Sequence, residues 1–290
     1  EQYLLYQTLL GAWPAGPYTP EEYAEFVRRI QAYMLKAVHE AKVHTSWINP
    51  DKAYDDAVQE FAARVLDEKR ARPFLEDFKE FQKIVNHYGL FNGLSQTLLR
   101  LTAPGAPDTY QGTELWDFSL VDPDNRRPVD YARRREMLAG LKRGLDGDRR
   151  KLARELLRNR DDGRVKLYVT HLALSRRRDN PGLFSDGAYL PLDVEGAKKD
   201  HAFGFVRGKD GRWAAVVVPR LLTRLVEFGN GPTGGVWEDT AVRLPGTEGV
   251  RRWRNVFTGA THSPADRSSP SLRLADVLAD FPVALLEGER

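Results

Sequence analysis

The 290-residue chain contains no cysteine. That absence removes disulfides, thiolate zinc sites and cysteine nucleophiles together, so a disulfide-stapled secreted scaffold is impossible. No apolar run approaches the ~18 residues a membrane-spanning helix needs, which argues against a membrane protein. Charge of one sign is also missing: 44 Lys and Arg stand against 41 Asp and Glu, and the resulting +3 gives nucleic acid no electrostatic footprint. The chain starts at Glu1 without methionine, and neither a basic nor an apolar leader region follows. The expectation is an interior piece of a longer, cytoplasmic protein. No internal repeat and no low-complexity tract is visible.

What is present is an ordinary globular composition, 41% hydrophobic and 29% charged. The length suggests roughly two domains. Thr19-Pro20-Glu21-Glu22 reads as a cap, a first-turn proline and two acids suited to a helix N-terminus. Tyr23, Phe26, Val27, Ile30, Met34 and Val38 then form one apolar stripe. Asn49-Pro50-Asp51 ends that helix, and a second follows with Tyr54, Val58, Phe61, Val65 and Leu66. A third begins at Pro73. After Gly89 the spacing predicts a separate short apolar helix from Leu90 to Thr102. Between Arg126 and Arg160 stand 13 basic and 5 acidic residues, but Leu138, Leu141, Leu145, Leu152 and Leu156 recur at helical spacing, so the arginines read as a solvated face. Beyond about Asp186 the texture turns to short strands. His201 to Arg207 and Trp213 to Val218 flank Lys209-Asp210-Gly211, a hairpin signal. Arg251 to Phe257, Ser271 to Leu274 and Pro282 to Leu286 are further strand candidates, and Trp213, Trp237 and Trp253 read as core or sheet-face residues.

The most unusual stretch is TAPGAPDTYQGTELWDFSLVDPDNRRPVDY, Thr102 to Tyr131. Asp108 to Gln111 reads as a short buried strand closed by Gly112. A polar loop follows in which Glu114, Asp117, Asp122, Asp124, Arg126 and Arg127 sit beside Trp116 and Phe118. Flat aromatics next to planar charged groups suit a sugar, whose hydroxyls accept bidentate partners. The alternative is that these acids and arginines pair with one another and hold a long loop closed.

This stretch, with Tyr3 to Pro14 (YLLYQTLLGAWP), Lys42 to Pro50 (KVHTSWINP) and Ala279 to Leu286 (ADFPVALL), resembles the maltooligosyl trehalose synthases of the α-amylase superfamily over essentially the whole chain. The resemblance implies an α+β fragment: residues 1–186 would be the helical C-terminal part of a (β/α)₈ TIM barrel, with Asp108 to Gln111 as its last strand. Residues 187–290 would be an antiparallel β-sandwich C-terminal domain. The implied activity turns the reducing-end α-1,4 bond of a maltooligosaccharide into an α,α-1,1 bond, a retaining transglycosylation without a cofactor that needs two carboxyl groups about 5 Å apart. In amylase relatives the nucleophile follows Gly-x-Arg-x and a third carboxylate follows His. Here no His precedes Asp, and Arg143-Gly144-Leu145-Asp146 sits in an amphipathic helix without a preceding strand. No catalytic residue is therefore assigned. The family order places the carboxylates upstream of Glu1, so the implied partners are the maltooligosaccharide and the missing N-terminal portion of the same enzyme.

Candidate substrate-binding residues are Gln111 and Glu114 at the expected strand end, Trp116, and Asp122, Asp124, Arg126 and Arg127 in the loop, with His44 and Trp47 in the second motif. Each has a plainer reading: ion pairs within the loop, a buried acid for Glu114, packing for Trp116, and a helix cap beside a core tryptophan for His44 to Trp47. His39 and His44 are five apart and do not share a helix face, so no metal site is expected. A stand-alone α-glucan-binding module and another amylase-type hydrolase or transglycosidase are the competing functions.

Overall fold

The computed structural model describes residues 1–247, 249–266 and 268–289. The helices come first: α1 Gln2–Ala12, α2 Pro20–Ala41, α3 Lys52–Val65, α4 Arg72–Thr102, α5 Tyr131–Leu145, α6 Arg149–Arg158, α7 Arg164–Asp179 and α8 Pro181–Ser185. Strands follow as β1 Ala188–Pro191, β2 Val194–Glu195, β3 Ala202–Lys209, β4 Arg212–Pro219, β5 Ala241–Arg243, β6 Arg252–Asn255, β7 Thr261–His262, β8 Ser271–Arg273 and β9 Ala284–Glu289, with a short α9, Leu274–Val277, before the last. The change of texture expected near Asp186 is thus where helices give way to strands. No helix among the described residues is long and apolar enough to cross a membrane.

By contacts the chain forms two compact units. One comprises Glu1–Asn86 and Asp117–Val129, the other His87–Trp116 and Asp130–Arg290. In the first, the α2 stripe is buried as its spacing requires: Tyr23, Phe26, Ile30 and Met34 pack with Leu5, Leu9, Trp13, Leu66, Leu75 and Phe78, and Val38 is buried further along the helix. Trp13 is the hub, with the rings of Phe26 and Phe78 at 5.2 and 5.0 Å.

In the second unit a six-stranded antiparallel sheet runs in the order β1-β3-β4-β9-β6-β7, and a three-stranded one in the order β2-β5-β8. Asp210 and Gly211 both take positive φ, 50° and 74°, and close the β3–β4 hairpin with Lys209 opposite Arg212. These are the two left-handed positions of a type I′ turn, which is why Asp-Gly signals it. β4 is apolar almost throughout because both its faces are covered. Ala214, Val216 and Val218 join one core with Leu98, Leu141, Leu156 and Tyr168 from the helices. Ala215 and Val217, pointing the other way, join a second core with Trp253 and Leu286 of their own sheet and with Val242 and Leu272 of the small sheet. The two sheets therefore share one apolar layer, and helices cover the opposite face. Trp237 and Trp253 are fully buried, as read from the sequence. Arg207 on β3 is also fully buried and donates to the carbonyl oxygens of Thr102, Gly187 and Ala188. Burial lowers its pKa first, and Arg177 nearby adds to the effect.

Two expectations are corrected. The helices expected from Pro73 and from Leu90 are one continuous helix, α4. A β-carbon at Gly89 would meet nothing within 4 Å, so this glycine sits in a regular, open helical position and does not punctuate. Asp108 to Gln111 is exposed and forms no strand. A strand exists only by pairing, and among the described residues no strand runs beside this segment.

Candidate functional site

A concavity lined by several candidate residues lies within the first unit, beside α2. The helix is started by a reciprocal cap: the Glu22 N–H donates to Thr19 Oγ1 at 3.2 Å, and Glu22 Oε2 accepts from the Thr19 N–H at 2.8 Å. Flanking the buried stripe, Glu25, Arg29, Lys36 and Glu40 form a polar row on the same helix. Against it lies the loop from Phe118 to Arg127. Arg29 carries the joint: its fork donates to Asp124 through Nε to Oδ1 and Nη2 to Oδ2, both at 2.8 Å, and Nη2 also reaches the Phe118 carbonyl at 2.9 Å. The Leu120 N–H donates to Asp124 Oδ2 at 2.7 Å, and Arg127 Nε stands 3.1 Å from Oδ1. The Asp124 side chain is only 11% exposed. Its burial alone would raise the carboxyl pKa, but the Arg29 fork, the Leu120 amide and Arg127 outweigh it and hold the group below its ordinary value. Lys36 adds a bond to the Asp122 carbonyl and stands 3.6 Å from the Asp122 carboxylate.

Between helix and loop is a cavity of about 730 Å³, within the usual range of small-ligand sites. Tyr33, Lys36, Trp47, Asp122, Asp124 and Arg127 are among its lining residues. Four of the nine sequence-derived candidates are thus brought together: Trp47, Asp122, Asp124 and Arg127. Arg126 is exposed and pairs with Asp122 at 3.1 Å without lining the cavity. Arg29, Tyr33 and Lys36 were not singled out from the sequence. The available signal was their spacing, which places Arg29 and Lys36 two turns apart on one flank of the apolar stripe.

The second motif is a turn between α2 and α3. Lys42 ends α2 in the left-handed region, φ 58°. Thr45 Oγ1 accepts from the Asp51 N–H at 3.0 Å, Ser46 Oγ from the Asn49 N–H at 3.0 Å, and Asp51 caps α3 by accepting from the Tyr54 N–H at 3.1 Å. Buried His39 lies 2.9 Å from Asp55. Trp47 is not a core residue: it is 59% exposed, with its ring against the His39 edge at 4.4 Å and another side toward the cavity. His44 is exposed against Tyr54, ring centroids 4.9 Å apart, and does not line the cavity.

The other three candidates belong to the second unit. Gln111 is exposed. Glu114 accepts from Arg134 Nε at 3.0 Å, while Arg134 Nη2 holds the Gly112 carbonyl at 2.8 Å, so the pair braces residues 112–114. Trp116 donates from Nε1 to the Arg160 carbonyl at 2.6 Å and rests on Gly93, where a β-carbon would stand 2.9 Å from its ring. Arg143 to Asp146 closes α5. Among the described residues, no three His, Asp or Glu side chains converge as a metal-ligand group.

No protein-family model matches the chain. Proteins of two Mycobacterium tuberculosis strains, assigned as maltooligosyl trehalose synthases, are 36% identical over 285 residues, covering 97% of this chain and 31% of theirs. The solved maltooligosyltrehalose synthase of Arthrobacter ramosus superposes with a TM-score of 0.74 at 35% identity, covering 99% of this chain and 32% of that one. Another solved maltooligosyl trehalose synthase gives 0.68 at 26% identity, with 99% and 33% covered. The chain spans about a third of the length of the relatives it matches. In sequence and in structure alike, that match is to the C-terminal third of the maltooligosyl trehalose synthases.

Proposed function

We propose that the chain is the C-terminal, substrate-binding share of an isomerase, a (1→4)-α-D-glucan 1-α-D-glucosylmutase that converts the reducing-end α-1,4 bond of a maltooligosaccharide into an α,α-1,1 bond. The observation that carries this reading is the match along 97% of the chain at 36% identity to relatives of that kind. On this reading residues 1–186 are the helical C-terminal part of a (β/α)₈ barrel whose strands come from the preceding part of the enzyme, and 187–290 form its β domain.

The cavity chemistry supports binding and argues against catalysis. Retaining glycosyl transfer needs one carboxylate free to attack and another able to give a proton. Here Asp124 is held by Arg29 and Arg127, Asp122 by Arg126 and Lys36, and Glu25 by Arg28. Each of these acids is already engaged by a cation, so none is free to attack a sugar. The same fixed forks can meet sugar hydroxyls, and Trp47 offers an apolar ring face. Purified chain 1–290 incubated with maltopentaose should yield no trehalosyl product by chromatography. Product formed by this chain alone would overturn the division of labour.

A further inference from the structure

We propose that His39, clamped by Asp55, is a positioning residue that fixes the plane of the Trp47 ring on the cavity wall. His39 does not itself line the cavity and acts through Trp47, so its role rests on the binding function proposed above. Trp47 needs such a holder. It stands in the turn between α2 and α3, 59% exposed beside Ile48 at 94%, so burial does not fix its ring. Among the described residues the one ring packed on it is that of His39, with centroids 4.4 Å apart and planes at 64°, the T-shaped arrangement that aromatic pairs favour. A freely turning indole would lose that freedom at each binding event, whereas one already set in place would not.

His39 is equipped for the task. It belongs to the last turn of α2 and is 5% exposed, so the helix holds its base. At its tip Nε2 lies 2.9 Å from Asp55 Oδ2 on α3. A carboxylate only accepts, so Nε2 carries the hydrogen and donates it. Nδ1 meets no partner among the described residues. The ring plane is thus set at its Nε2 end, where Thr45 Oγ1 also lies 3.4 Å away. Thr45 in turn accepts from the Asp51 N–H at 3.0 Å, which ties the turn carrying Trp47 to the same histidine. From Asp55 to His39, to Trp47 and to the cavity, each step is a direct contact.

Fluorine NMR of the 290-residue chain labelled with 5-fluorotryptophan tests the positioning without any ligand. Trp47→Phe identifies the Trp47 line among those of the six tryptophans. Asp55→Ala and His39→Gln should each move that line toward free 5-fluorotryptophan, while the remaining lines stay and show that the fold is kept. Asp55→Asn, whose amide oxygen still accepts from Nε2, should hold it in place. Calorimetric titration with maltotriose then reads the consequence. Asp55→Ala should weaken binding about fivefold, the scale of one lost aromatic contact, and should change nothing further in a Trp47→Ala background. An unmoved Trp47 line in both Asp55→Ala and His39→Gln, or an equal loss of affinity with and without Trp47, would overturn the positioning role. Maltotriose that fails to bind the parent chain would overturn the binding role, and the fluorine lines would still decide whether His39 orients Trp47.

Discussion

In the unit built from residues 87–116 and 130–290, the central strands are apolar on both faces and their neighbours are fully buried, so cohesion comes from area removed from water. The unit of residues 1–86 and 117–129 has an apolar core as well, but fastens its loop from Phe118 to Arg127 to α2 by one ion cluster centred on Asp124. Dispersed packing tolerates local insult poorly but has no single point of failure. A charge clamp concentrates the loop's position in a few atoms, and leaves a cavity open beside them.

The contrast can be broken at its strong side first. Phe281 is fully buried against Phe257 and Tyr168, with ring centroids at 5.4 and 6.1 Å. Phe281→Ala should cost about 3–5 kcal/mol in denaturant unfolding, the usual penalty for an aromatic cavity. A loss under about 1 kcal/mol would mean that this core collapses around the hole.

Asp124→Ala should cost less, about 2–3 kcal/mol, because it strands Arg29, which is 13% exposed, without its partner. The damage should be confined to residues 118–127, read as faster proteolysis there. Acid should mimic it. The Asp124 carboxyl is held below its ordinary 3.8 in the folded chain, so its stabilisation is complete above that value and is lost as pH falls through the lower folded pKa. Loop cleavage that stays flat from neutral pH to well below 3.8 would contradict the clamp.

Arg126→Ala should change stability by less than about 0.5 kcal/mol, since its pair with Asp122 is 67% and 52% exposed. A larger effect would show that the loop depends on its outer pair as well as its inner one.

Local chemistry was legible in the sequence. The Thr19 cap, the α2 stripe and the Asp210-Gly211 turn each depend on a few adjacent residues, and each formed as read. The leucines of the basic stretch also face the core, Leu141 and Leu156 fully buried and Leu138, Leu145 and Leu152 packed against it. What failed was what depends on distant partners. The segment 108–111 reads as a strand but has no strand beside it among the described residues, and Arg29 gains its role only through Asp124, 95 positions away. Half of the site was visible as residue types in the loop. The helix side was not, because an arginine and a lysine flanking an apolar stripe look like any solvated face.

Arg207 carries a consequence for the order in which the polypeptide can mature. Thr102 ends α4, so its carbonyl has no following helical amide to accept from. The donor it finds is the Arg207 guanidinium, 105 positions later. During synthesis from the N-terminus the end of this helix must stay hydrated until the β3–β4 hairpin emerges and folds over it. The final carbonyl of α4 is therefore met by the sheet that follows, while the Leu101 carbonyl one residue earlier is met by Arg177 of α7.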